Sequence, residues 1–98
     1  MALSPRNAEA HNYLGIVMSE KGWATAGEKE VRRALELNPE YADAHFNMAV
    51  LYAKQRNPRT ELARYHYQKA RDLGAAADPQ LESLLKPAEQ TTEKATTP

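Results

Sequence analysis

Residues 38–52, NPEYADAHFNMAVLY, decide the fold of this chain, because a variant of the same stretch occurs earlier in the sequence. Residues 4–15, SPRNAEAHNYLG, align without a gap with the first part of it. His11 and His45 occupy equivalent places in the two copies and are 34 positions apart (45 − 11 = 34). A fixed period between about 20 and 50 residues is typical of proteins built from repeated supersecondary units. The sequence therefore predicts a repeat protein.

Length and composition narrow the possible functions. The chain has 98 residues, enough for one small domain, and its 13 basic residues balance 13 acidic ones. A balanced charge gives no general electrostatic reason to bind nucleic acid or an anionic membrane. The absence of cysteine excludes disulfides and thiolate metal sites, and no apolar run approaches the ~20 residues that span a bilayer. We therefore expect no nucleic-acid partner, no membrane association and no cofactor.

Helix boundaries are predicted from short polar residues that precede proline. The polar side chain can accept a hydrogen bond from a free amide of the first turn, and proline has no amide to leave unpaired there. Gly22 and Gly74 are expected to end helices in a left-handed conformation, and Thr25 with Glu28 has the spacing of a capping box. No segment alternates as a strand does, so the predicted fold class is all-α. The four pairs are Ser4-Pro5, Asn38-Pro39, Asn57-Pro58 and Asp78-Pro79, and the predicted helices are residues 5–20, 25–38, 39–54, 58–73 and 79–85.

Apolar residues recur in these helices at spacings of three and four, which indicates that each helix packs on one face. The small residues Gly27 and Ala34 predict a close approach between helix axes. The predicted packing residues are Ala10, Leu14, Val17 and Met18; Gly27, Val31, Ala34, Leu35 and Leu37; Ala44, Met48, Leu51 and Tyr52; Leu62, Ala63, Tyr67, Ala70 and Leu73; and Leu81, Leu84 and Leu85.

The two copies resemble the tetratricopeptide repeat, whose pattern is a large residue, Leu-Gly, an aromatic, a small residue, an aromatic, Ala and Pro. The second copy has two extra residues between its helices, because Tyr52 and Ala63 are 11 positions apart whereas Met18 and Gly27 are nine apart. The resemblance implies a right-handed helical-hairpin solenoid with two repeat units (four helices) and a C-terminal capping helix. The matching residues are His11, Leu14, Gly15, Met18, Gly27, Val31, Ala34 and Pro39 in the first copy, and His45, Met48, Ala49, Tyr52, Ala63, Tyr67, Ala70 and Ala75 in the second.

The resemblance also implies a domain arrangement. Residues 1–87 would form the repeat domain, and residues 88–98, which have nothing to bury, would form a disordered tail or linker. Because Leu3-Ser4-Pro5 matches Leu37-Asn38-Pro39, we expect a C-terminal fragment of a longer array. The uncovered side of its first repeat would then favour a homo-oligomer of the isolated fragment. Within the domain, repeat one is assigned to residues 8–41, repeat two to 42–77 and the capping helix to 79–86.

In the tetratricopeptide repeat family, which the two copies resemble, the first helix of each repeat lines a concave groove. An extended peptide or protein segment is the expected ligand of such a groove, and the carboxylates in this one favour a basic or apolar segment. Tyr13 and Phe46 have two possible roles, contact with a ligand or packing between neighbouring helices, and the sequence does not decide between them. The groove residues implied are Glu9, Asn12, Tyr13, Ile16 and Glu20 in repeat one, Asp43, Phe46, Asn47, Val50 and Lys54 in repeat two, and Glu82 and Lys86 in the fifth helix.

No catalytic or metal site is predicted. His11 and His45 fall where the repeat places a large packing residue, and no His-x3-His pair or phosphate-binding loop is present. The predicted function is a non-enzymatic scaffold for a protein or peptide partner. The alternatives are a structural self-association module and an accessory domain of a larger enzyme. The basic residues expected on a solvated face, rather than in a nucleic-acid site, are Arg56, Arg59, Arg64, Lys69 and Arg71.

Overall fold

A computed structural model describes residues 7–86, and this range contains five α-helices and no strand. α1 packs against α2 and α3 packs against α4, while α3 also contacts α1, α2 and α5. The all-α prediction of two helix hairpins followed by a short helix is therefore confirmed. The expectations for Ser4-Pro5 and for the tail at 88–98 concern residues outside the described range. The helices are α1 (Ala8–Glu20), α2 (Ala24–Leu37), α3 (Ala42–Ala53), α4 (Thr60–Asp72) and α5 (Pro79–Leu84).

Proline marks a helix start at only one of the three described sites. Asp78 caps α5, since its Oδ1 accepts a hydrogen bond of 3.0 Å from the amide of Leu81. The prediction at Asn38-Pro39 is wrong: Asn38 is the C-cap of α2, and its side chain accepts from the amide of Glu40. The side chain of Asn38 thus stabilises a turn, and α3 begins only after Tyr41.

The other predicted helix starts also shift. Asn57-Pro58 lies in the turn before α4, which begins after Arg59. Asn7 caps α1, with Oδ1 accepting from the amide of Ala10 at 3.0 Å, so α1 starts at Ala8 rather than Pro5. No capping box forms at Thr25, because the N-cap of α2 is Trp23, which makes no side-chain capping bond.

The helix ends follow the glycines as predicted. Gly22 and Gly74 have φ angles of +89° and +108°, a left-handed conformation that only glycine adopts readily. The turn inside each hairpin closes in the same way despite its different length. The amide of Trp23 donates to the carbonyl of Met18 at 2.9 Å, and the amide of Arg59 donates to the carbonyl of Tyr52 at 3.0 Å. The longer turn of repeat two therefore returns its chain to the same place.

The core lies between α3 and its neighbours. Leu62, Leu73 and Leu84 were predicted to pack but are 42%, 37% and 53% exposed. Buried positions in α4 repeat at spacings of four and three, which leaves Leu62 and the C-cap residue Leu73 at the edges of that face. In α1 the four predicted packing residues are only half-buried. The buried apolar residues are Val31, Ala34, Ala44, Met48, Ala49, Leu51, Tyr52, Ala63, Tyr67, Ala70, Leu81 and Leu85.

Two glycines allow α1 and α2 to approach closely. A Cβ atom added to Gly15 would lie 2.5 Å from Cγ2 of Val31 and 2.8 Å from the carbonyl oxygen of Gly27. A Cβ atom added to Gly27 would lie 2.7 Å from the carbonyl oxygen of Gly15. All three distances are shorter than atoms in contact can sustain, so the helix spacing in repeat one requires glycine at both positions.

Candidate functional site

Five of the predicted groove residues lie at spacings of three and four along one face of α3 and its C-cap: Asp43, Phe46, Asn47, Val50 and the C-cap residue Lys54. Asp43 and Lys54 are exposed, and the three residues between them are half-buried. The ring of Phe46 packs against the core, with its centroid 6.4 Å from that of Tyr67. Phe46 therefore has a packing role in the free protein.

Three adjoining clefts border this face. The first, of about 310 Å³, lies between the N-terminal half of α3 and the α4–α5 connection. The second, of about 320 Å³, separates α3 from α5, and the third, of about 290 Å³, separates α3 from the end of α1. Asp78 borders the first two clefts, while Val50 and Lys54 border the last two. The clefts thus follow one another along α3, and we call this series of clefts the α3 track.

The track is lined by side chains from four elements. The first cleft is bordered by Asp43, Phe46 and residues 75–78, the second by Val50, Lys54, Asp78, Gln80, Leu81, Ser83 and Leu84, and the third by Ser19, Glu20, Ala24, Val50, Leu51, Lys54 and Gln55.

The predicted groove residues of α1 have mixed placements. Glu20 borders the α3 track, whereas Tyr13, which is 69% exposed, does not, and neither do Glu9 and Ile16. Asn12 is buried, and its Oδ1 accepts a hydrogen bond of 3.0 Å from Nδ2 of Asn47. The two amides therefore join α1 to α3 in the free protein.

Tyr67 attaches α5 to the rest of the fold. Its hydroxyl donates to Oε2 of Glu82 at 2.5 Å and accepts from the amide of Asp78 at 3.0 Å. Burial and the bond to Glu82 raise the pKa of Tyr67, so the hydroxyl keeps its proton. Nε of Arg64 also donates to the carbonyl of Leu85 at 2.8 Å. These contacts, which the sequence pattern did not predict, hold one wall of the α3 track.

Glu28 joins the two repeats at the lengthened turn. Its carboxylate accepts hydrogen bonds from the hydroxyl of Tyr52 at 3.0 Å, from Nη2 of Arg32 at 2.5 Å and from Nε2 of Gln55 at 3.4 Å. Arg59, which ends the longer turn, lies 3.9 Å from the same carboxylate and 5.6 Å from the ring centroid of Tyr52. The turn therefore contributes to the contact between repeats.

The histidines make structural contacts. Nε2 of the buried His45 lies 2.8 Å from the carbonyl of Pro39, and its Nδ1 lies 3.0 Å from Nδ1 of His66. Since a carbonyl only accepts, His45 donates to Pro39 through Nε2, and its Nδ1 shares one proton with Nδ1 of His66 in a hydrogen bond between the two rings. Nδ1 of His11 lies 2.7 Å from Oε1 of Glu30. In residues 7–86 no three His, Asp or Glu side chains gather as a metal site.

A fourth cleft, of about 370 Å³, lies outside the track between α2 and α4. Lys69 and His66 border it, together with Arg32, whose guanidinium already contacts Glu28. Another basic residue, Arg64 of α4, also forms an ion pair within the protein, with Glu61. No helix within the described part of the chain is long and apolar enough to cross a membrane.

The helix hairpins and the α3 track define a helical-repeat scaffold. Residues 31–71 match the family model described as Tetratricopeptide repeat, and this segment includes part of α2, all of α3 and most of α4. This match confirms, over that segment, the resemblance to the tetratricopeptide repeat. Repeats of this family are generally protein–protein interaction modules and typically non-enzymatic. Comparison of the sequence with curated proteins gave no match.

Proposed function

We propose that this chain is a protein-interaction scaffold that holds a peptide or protein segment along the α3 track. The observation that carries the proposal is the succession of three adjoining clefts of 290–320 Å³ along one helix face. Each cleft has only the lower-limit size of a small-molecule pocket. An extended segment can place successive side chains in neighbouring clefts, and so use all three together.

The contacts inside the protein decide which residues can test the proposal. Phe46 packs against the core and Asn47 bonds to Asn12, so their replacement would disturb the fold as well as any ligand contact. Leu84 is a better choice, because it borders the second cleft and is 53% exposed. Leu62, which is 42% exposed on α4 and lies outside the track, provides a matched control.

The test selects peptides from a random display library on the wild-type chain and measures their affinities by calorimetry. Leu84→Gln should weaken binding about tenfold, equivalent to losing about 1.4 kcal/mol of apolar burial. Leu62→Gln should leave the affinity unchanged, and circular dichroism should show the same helicity in all three proteins. Equal affinities of wild type and Leu84→Gln would contradict binding along the track.

Self-association is the second candidate, and a comparison between repeats favours it. Leu14 and Met18 of repeat one are only half-buried, whereas their equivalents in repeat two, Met48 and Tyr52, are 1% and 3% exposed. Tyr52 is covered partly by α2, to which its hydroxyl is bonded through Glu28. The corresponding surface of repeat one has no preceding repeat within residues 7–86, and a second copy of the chain could cover it.

A further inference from the structure

We infer that the segment held by the α3 track is basic and apolar: lysine or arginine side chains flank an apolar side chain that enters the cleft between α3 and α5. This inference rests on the proposed function and adds the chemistry of the partner to it. It follows from the charges of the helices that border the track and from the contacts of their carboxylates.

Charge is segregated between the two helices of each hairpin. α1, α3 and α5 contain four acidic residues and no lysine or arginine, so their formal charge is −4, which the C-cap residues Lys21 and Lys54 reduce to −2. α2 has three acidic and three basic residues and is neutral, and α4 has two acidic and three basic residues and a charge of +1. The track therefore lies on the acidic side of the molecule, where a basic partner is favoured. The four carboxylates are those of Glu9, Glu20, Asp43 and Glu82.

Each cleft of the track has a carboxylate at its border. Asp43 borders the first cleft, Asp78 the first and second, and Glu20 the third, while Lys54 is the one cation among the track residues. Glu20 and Asp43 are exposed, and neither forms an ion pair with another of the described residues. Their charges are consequently available to a ligand without breaking a contact in the protein.

The second cleft supplies the apolar part of the site. Val50, Leu81 and Leu84 border it, and Leu84 is 53% exposed in the free protein. Covering this leucine with an apolar side chain removes its surface from water and favours binding. An acidic segment would meet the carboxylates of Glu20, Asp43 and Asp78, with Lys54 as the only opposite charge on the track.

The acidic charge of the track also disfavours a second copy of the chain as its ligand. Two such faces brought together would oppose like charges from α1, α3 and α5, which disfavours association through this surface. The self-association considered above uses a different surface, at the start of repeat one.

The experiment uses the peptides selected from the random library, so that their composition is itself a result. We expect the selected sequences to be enriched in lysine and arginine next to an apolar residue. One selected peptide is then synthesised in two forms, with its basic residues intact and with each replaced by glutamine. The basic form should bind more tightly at low salt, and the difference should shrink as salt is raised, because salt screens exposed charges.

Charge variants of the protein test where the basic peptide binds. Glu20→Gln combined with Asp43→Asn should weaken its binding about threefold to tenfold, from the loss of two exposed ion pairs. The matched control, Glu36→Gln with Glu61→Gln, makes the same charge change on α2 and α4 and should have little effect. Lys54→Glu should strengthen binding about twofold to fivefold, whereas Lys29→Glu on α2 should not.

The outcomes separate this inference from the proposed function. Selected peptides that are acidic or neutral, and that lose affinity in Leu84→Gln, would overturn the basic partner while supporting a binding track. Basic peptides whose affinity is unchanged in the variants of Glu20, Asp43 and Lys54 would overturn the inference as well. Peptides of any charge that are insensitive to Leu84→Gln would contradict the proposed function itself. A gain of affinity in Lys54→Glu is the most specific support, since a structural role of Lys54 does not predict it.

Discussion

Gly15 shows how a single residue sets the geometry of repeat one. Alanine has the higher helix propensity, by about 1 kcal/mol, so propensity alone predicts that Gly15→Ala stabilises the protein. The added Cβ atom would however lie 2.8 Å from the carbonyl oxygen of Gly27, and a backbone atom cannot move away cheaply. We expect a net loss of about 1–3 kcal/mol in the free energy of unfolding.

Urea denaturation of Gly15→Ala and wild type measures this loss, with Thr25→Ala, at an exposed position of α2, as the control. Repeat two carries alanine at the equivalent position, Ala49, which is fully buried, so that repeat accommodates a Cβ atom there. A more stable Gly15→Ala protein would show that propensity, not packing, dominates at this position.

His66 gives the protein a pH-dependent stability. Burial, together with the charges of His45 and Arg32, lowers the pKa of His66 to about 4 from its ordinary value of 6.5. Between pH 6.5 and about 4 the unfolded chain binds a proton at this residue and the folded protein does not. Stability should therefore fall as the pH drops through this window, and this contribution should be constant above it.

The measurement is the urea midpoint at several values of pH between 7 and 4.5. His66→Asn keeps a donor towards His45 and removes the titrating group, so its midpoint should depend less on pH than that of the wild type. Identical pH profiles would assign the acid sensitivity to other groups.

Glu28 is expected to stabilise the contact between repeats. Glu28→Ala removes the acceptor used by Tyr52 and Arg32 and should cost about 1–3 kcal/mol of unfolding free energy. In a double-mutant cycle with Tyr52→Phe, the two effects should not add, because both variants lose the same hydrogen bond. Additive effects in thermal or urea unfolding would mean that the bond contributes nothing measurable.

At the residue scale, the sequence predicted packing better than polar contacts. Val31, Met48 and Tyr67 have the helical spacing of buried residues and are buried. Asn12 and Glu28 gave no such signal, because their partners Asn47 and Tyr52 are 35 and 24 positions away. These pairs come together only because one repeat packs against the next.

At the scale of elements, α5 depends on its attachment to α4. Six residues are too few for a helix to be stable alone. Tyr67→Phe removes the hydroxyl that bonds both Glu82 and the amide of Asp78, and should increase hydrogen exchange in α5 about tenfold. Exchange in α1 and α2, which do not contact α5, should be unchanged. A uniform increase over all helices would indicate global destabilisation instead.

Helix ends were predictable where the backbone conformation demands one residue type. Gly22 and Gly74 have positive φ angles that other residues rarely adopt, so glycine in the sequence was a reliable signal. The asparagine–proline pairs were unreliable because the same two residues also stabilise turns, as Asn38 does here. The short leucine-rich α5 was placed correctly, yet Leu84 faces outward, since six residues give too little periodicity to orient a helix.

At the scale of the whole molecule, the 34-residue period predicted which helices are neighbours. α1 and α3 contact each other at nearly equivalent positions, since Asn47 bonds to Asn12, 35 positions earlier and one residue off the period, so the period describes a step from one repeat to the next. The α3 track could not be predicted in this detail. Its clefts depend on the position of α5 and on the connection at residues 75–78, neither of which belongs to the repeated pattern.

The same step between repeats leads to a prediction about association. The equivalent of Tyr52 in repeat one is Met18, which is half-buried where Tyr52 is 3% exposed. If a second copy covers this surface, the melting temperature and the sedimentation coefficient should both rise with protein concentration. Met18→Glu should abolish this dependence, because a carboxylate buried at an apolar interface is costly.

Thr25→Glu makes the same charge change at an exposed position on α2 and should leave the association intact. Helicity measured at the lowest concentration distinguishes lost association from lost folding in Met18→Glu. A wild-type chain that sediments as a monomer at all concentrations would exclude the first-repeat surface as an interface between copies. The scaffold proposal would then stand alone, because the α3 track is formed entirely within one chain.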